Sequence, residues 1–143
     1  MALLEWPADL PPKVRADGFE RVMPDLIKPS RMAAGVTLTR PIALAGEQTI
    51  SCMIRGDRGL LARFDRFFLV ETGNGARPFL MRDQLYDGVP LFAPMGGALT
   101  TPDDEPIAIS FWRLVRFTPG QPPRNGQASG AMMRVFFSID LLP

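Results

Sequence analysis

Two nearby carboxylates can serve as a general acid and a general base, and Asp83, Asp87 and Asp104 are the acids placed to try. No spacing among them singles out a pair. Asp103-Asp104-Glu105 is the one acidic cluster. A hard cation needs several carboxylate oxygens at defined intervals. This cluster has no such pattern and lies between Pro102 and Pro106, so it reads as a solvated loop tip. Cys52 alternates with Ile50 and Ile54 and has no basic neighbour to activate it, so it reads as a small core residue. Arg55-Gly56-Asp57 spells an adhesion tripeptide, yet Asp57 is better explained as a helix cap. Neither Arg58-Gly59 nor Gly73-Asn74-Gly75 makes a phosphate-binding loop. Arg113, Arg116 and Arg134 alternate with aromatics, as on a nucleic-acid-binding sheet. Arginines on the outer face of any sheet look the same. The chain has no histidine, the commonest general base and metal ligand near neutrality. These residues predict no catalytic centre, no cofactor and no metal site.

The composition agrees. The 143 residues suit one domain with one core, and we expect residues 1–143 to form it. Sixteen basic residues face fifteen acidic ones, a balance that disfavours nucleic-acid binding by bulk charge. A single cysteine excludes an internal disulfide framework. No apolar run approaches the roughly 18 residues that cross a bilayer. The first residues lack the basic start and apolar stretch of a signal peptide. Fifteen prolines and thirteen glycines favour a β-rich, loop-rich chain over a helix bundle.

The elements that would carry these residues follow from periodicity. Residues 1–46 read as an extended, proline-rich arm. Within it, Asp17-Gly18 predicts the turn of a short hairpin over residues 13–22, with Val14, Phe19 and Val22 as its apolar face. Residues 35–40 and 47–55 are the first long strand candidates, the second with clear alternation. A helix is expected over about 58–71, capped by Asp57. Leu60, Leu61, Phe64, Phe67 and Phe68 form its apolar stripe, and Gly73-Asn74-Gly75 its stop. Residues 77–81 make a short strand that Pro78 places at an edge or a start. Residues 82–110 form a long irregular segment, too apolar for plain disorder, that reads as a large loop, with room for a short hairpin, packed on a partner. Residues 111–117 are a strand, 119–130 a mobile polar loop. The last strand sets Met133, Val135, Phe137, Ile139 and Leu141 on one face. The fold class is mainly β (α+β): an antiparallel sandwich or barrel with one helix and long loops.

The order of these pieces resembles the minor tail, or distal tail, protein family of long-tailed bacteriophages. The resemblance rests on Asp17-Gly18-Phe19-Glu20-Arg21 near the start and on a strand ending near Ile54. It continues through the helix with Leu61, Phe64, Phe67 and Phe68, and the return Gly75-Ala76-Arg77-Pro78-Phe79. A strand over 111–117, a Gly-rich loop and an alternating final strand complete it. Phe19 stands where the family has Tyr, Ala16 where it has Gly, and the 82–110 loop is longer. The resemblance implies a tail-tube-type fold and a structural role in the virion, with no enzymatic activity. The protein would form a hexameric ring joining the tail tube to the baseplate hub, assembled in the bacterial host cytoplasm, with DNA only passing through its lumen and no membrane involved. Phe19, Tyr86, Phe92 and Trp112 are the interface candidates, because aromatics are enriched at interface anchors. The alternatives are another tail component (tube subunit, tail terminator or head–tail connector) or a small β-barrel nucleic-acid-binding domain.

Overall fold

The computed structural model describes residues 2–31 and 34–143. Nine strands and one helix run in the order β1 (Leu4–Glu5), β2 (Glu20–Val22), β3 (Ile27–Arg31), β4 (Thr37–Pro41), β5 (Gln48–Gly56), α1 (Arg58–Arg66), β6 (Phe79–Arg82), β7 (Trp112–Phe117), β8 (Arg124–Ser129) and β9 (Met132–Leu141). The architecture is mainly β with one helix. Seven strands make one sheet in the order β1-β6-β7-β9-β5-β2, and β8 pairs with β9 beside that path. Every pairing is antiparallel except β1 with β6. Strands β3 and β4 form a separate two-stranded ribbon. The layer facing the main sheet is supplied by α1 and the N-terminal segment, not by that ribbon, whose ten residues are all exposed.

Strands β5 and β9 form the centre of the sheet, and alternation drives them there. Ile50, Cys52 and Ile54 on β5 meet Val135, Phe137 and Ile139 on β9, all buried. Their other faces are mostly polar or half-exposed, Met53 and Asp140 being buried exceptions, so a slip of one residue would turn the apolar set away from the core. Burial pushes the Cys52 thiol up to about 12, which makes it an inert core residue as expected.

The helix forms as its stripe predicts. Asp57 Oδ1 accepts the Leu60 N–H at 2.9 Å. Gly56 is needed beside it: a Cβ there would lie 2.5 Å from Leu60. Close packing and a cap thus account for the Arg55-Gly56-Asp57 tripeptide. Past Arg66 the helix widens into one π turn over Phe67–Glu71. Phe64 and Phe67 are buried, and Phe68 packs on the same core. Gly73, Asn74 and Gly75 all take positive φ and end the turn.

Trp6 is the hub of that core and was not evident from the sequence. Its N–H extends the pairing of β1 onto Leu80, and its indole donates to Pro11 O at 3.0 Å. The ring lies 5.5 to 6.2 Å from the rings of Phe64, Phe67, Phe79 and Phe137. The arm expected over residues 1–46 therefore begins as a buried plug.

Three local expectations need correction. Gly18 does make the predicted turn, but its flanks do not pair with each other. Arg15 N–H bonds Met53 O and β2 pairs with β5, because the free edge of a large sheet offers more than an isolated two-stranded hairpin. Residues 119–130 are not simply a mobile loop. They contain β8, an edge strand with mostly exposed polar side chains that give no apolar alternation to read. Residues 27–31 form a strand despite Pro29. A two-stranded ribbon has two free edges, where a missing N–H is not missed.

Replacing Trp6 with Ala should cost about 3–5 kcal/mol, the usual loss for a large buried aromatic. Urea unfolding checks this. A loss below about 1 kcal/mol would show that the plug is not part of the core.

Candidate functional site

Strand directions decide where the loops go. Strands β6 and β2 both end at the same end of the sheet, and β7 and β5 both start there. The β6–β7 connection (residues 83–111) and the β2–β5 connection (residues 23–47) therefore project from one end. One rises from β6 and β7 and the other from β5 and β2, with β9 between them. Here they are termed the finger and the arm.

The finger is ordered by backbone hydrogen bonds that go beyond the short hairpin expected in this loop. Leu91 N–H donates to Ile107 O (2.8 Å), Ile107 N–H to Leu99 O (2.9 Å), and Leu99 N–H to Leu91 O (2.9 Å). The three residues close a triangle. Bridges continue it: Phe92 with Ala98, Thr100 with Pro106, and Ala108 with Pro90. Each of these positions recurs eight residues later, so the segment has an internal threefold pattern. It is a three-way junction of short antiparallel stems, one leading to the sheet and two ending in turns. One turn carries Pro94 and Met95, the latter almost wholly exposed at 97%. The other carries Asp103-Asp104-Glu105, all exposed, with Asp104 at φ +61°. The expected solvated acidic tip is thus found. The eight-residue spacing of Leu91, Leu99 and Ile107 was the signal for this motif, and neither the period of a helix nor that of a strand detects it.

Asp83 and Asp87, considered above as catalytic acids, meet at the finger's root. Asp83 Oδ1 accepts the N–H groups of Leu85 (2.8 Å) and Tyr86 (2.7 Å), and its Oδ2 accepts Arg113 Nε (3.2 Å). Asp87 Oδ1 accepts Phe111 N–H at 2.7 Å, and Arg82 reaches the same carboxylate at 3.3 Å. Lys13 donates to the backbone carbonyls of Asp83 and Asp87. Gln84 ties the N-terminal segment to this root: its Oε1 accepts Val14 N–H and its Nε2 donates to Pro12 O. Both carboxylates are nearly closed to solvent, at 3% and 6%. Phe111 N–H, together with the Arg82 and Lys13 charges, holds the Asp87 carboxyl below its ordinary value against the opposing effect of burial. A carboxylate whose lone pairs are already occupied in this way acts as a tie. Asp104 sits on the outer turn and takes no part in it.

The finger and the arm carry most of the exposed large apolar residues. Of 22 large apolar residues exposed among the described residues, nine lie in the finger and six in the arm, with Trp112 and Val22 at the strand ends beside them. Three of the four interface candidates belong to this surface. Tyr86 is 52% exposed against the edge of Phe111, and Phe92 is 62% exposed on its stem. Trp112 is 43% exposed under the Arg82 guanidinium, 4.8 Å from the ring centre. Phe19 differs: it is half-buried against the core, where the Gly18 turn folds it. The arginines weighed as a nucleic-acid surface are largely engaged. Arg113 pairs with Asp83 and Arg116 with Glu47 at 2.7 Å, while Arg134 stays exposed. Among the described residues no group of three or more Cys, Asp or Glu could hold a metal ion, and no helix is long and apolar enough to cross a membrane.

Compared with protein-family models, with curated proteins and with solved structures, the chain matches none.

The tie at the finger root should respond to acid. Asp87 contributes stability above the free carboxyl's 3.8, and this is lost as pH falls through the lower value it has in the folded protein. Urea unfolding across this acid range should show a downward slope that Asp87→Asn partly flattens. An unchanged slope in the variant would remove Asp87 from the tie.

Proposed function

We propose that the protein is a structural subunit of a long-tailed bacteriophage tail: the distal ring that joins the tail tube to the baseplate hub and leaves a channel for DNA. One observation carries the reading. Two projections leave the same end of one sheet, from opposite halves of it, and between them hold most of the large apolar residues exposed among the described residues. That arrangement suits a subunit in a ring. Each copy meets one neighbour on either side, through two different surfaces, and such a heterologous contact closes when its rotation divides a full turn. Apolar patches of this extent on a small protein mark contact sites.

The chemistry supports the same reading. The acids best placed for catalysis hold the finger root, and the lone thiol is buried and protonated. The order of sequence motifs from the Gly18 turn to the last strand adds the phage-tail context. In that context the ring is a hexamer, its partners are the tube protein and the hub, and its place is the virion. Another tail component built on the same fold is the nearest alternative.

Native mass spectrometry of the purified protein over increasing concentration, with electron microscopy of tails labelled at this chain, tests the proposal. Hexameric rings and label at the distal end of the tube are expected. Label at the head-proximal end would make it a terminator or connector. A monomer at every concentration that retards single-stranded DNA, with no label on virions, would overturn it in favour of a nucleic-acid-binding module.

A further inference from the structure

The charges of the two projections are complementary. The finger has no Lys or Arg between Asp83 and Arg113, and its outer turn presents Asp103, Asp104 and Glu105 to solvent. The arm carries Lys28, Arg31 and Arg40 against Asp25 and Glu47, and Glu47 is already paired with Arg116 of β7. Lys28 lies directly opposite Arg40 in the β3–β4 ribbon, so both side chains share one face. Like charges paired across strands destabilise a ribbon. Among the described residues neither makes an ion pair. A concavity of about 600 Å³ opens between them, lined by Lys28, Pro29, Ser30, Leu38, Thr39 and Arg40. The ribbon also lacks packing within its own chain, since all of its strand residues are exposed. A two-stranded ribbon gains little stability from itself. What would hold it, and neutralise its paired cations, is an anionic partner.

We propose that the acidic turn of one copy's finger docks on the Lys28/Arg40 face of the next copy's arm. This rests on the reading of the chain as a ring subunit and specifies the contact that orders the ring. Topology places the two surfaces correctly. Both projections leave the same end of the sheet, so copies standing side by side with that end in common bring the finger of one beside the arm of the other. The polarity is head-to-tail, and no second class of partner is needed. The other cationic cross-strand pair, Arg55 with Arg134, is a poorer receptor. It lies on the sheet itself, and Arg55 is half-buried with its guanidinium bonded to Ser129 Oγ at 3.1 Å.

Two charge reversals and their mixture test the contact. K28E/R40E and D103K/D104K/E105K change only exposed residues, and circular dichroism confirms that each variant folds. Each alone should need roughly ten times more protein to assemble, because like charges would then face each other. An equimolar mixture should assemble as the wild type does, since acidic arm meets basic turn and basic arm meets acidic turn. Sedimentation velocity reads both, and wild-type assembly should weaken as salt is raised. Reversed variants that assemble normally, or a mixture that fails to recover, would overturn the docking while leaving the ring reading intact. Loss of assembly with R55E/R134E instead would move the receptor to the sheet and overturn it equally. A wild type that never assembles, and whose arm binds duplex DNA, would overturn both.

Discussion

The finger can stand away from the sheet only because its root is tied, and two carboxylates make the tie. Asp83 and Asp87 between them accept three backbone N–H groups and bind two guanidiniums, with Lys13 bridging the carbonyls behind them. Each buried donor left without its acceptor would cost about 1–3 kcal/mol. The tie also reaches backwards along the chain. Lys13, Val14 and Pro12 are fixed to the same root, so the segment that carries Trp6 into the core is fastened at both ends. Core, N-terminal plug and finger form one connected unit for that reason.

The consequence is a division of labour across the molecule. One end of the sheet, where α1 leaves β5 and β8 turns into β9, carries the helix that closes the aromatic core. The other end carries two projections whose apolar side chains find too few partners in their own chain. The finger, ordered by its own hydrogen bonds, would meet in advance part of the entropy cost of any contact it makes, whereas the ribbon has little packing of its own.

How much of this could be read from sequence depended on whether the pattern was local. The helix over 58–71, its Asp57 cap and its glycine stop followed from spacing alone. So did the faces of β5 and β9, because alternation reports burial directly. Trp6 did not, since a tryptophan between an acid and a proline in an extended segment says nothing of its distant partners. Strand β8 was hidden because an edge strand has little to bury, and β3 because Pro29 argues against pairing in any context but a free ribbon. The finger's length and apolar content set it apart from a plain disordered loop. Its triangular bonding repeats every eight residues, a period that belongs to no ordinary element. Asp83 and Asp87 looked like possible acids, but only their neighbours in space, Phe111 and Arg113 above all, show them to be ties.

Amide hydrogen exchange, compared between the free and the assembled protein, tests most directly whether the two projections are the contact surfaces. The account predicts slowed exchange on assembly confined to residues 27–41 and 88–109, with the edge strand β8 and the central strand β9 unchanged. Protection that falls on β8 and β9 while both projections exchange as freely as before would contradict it.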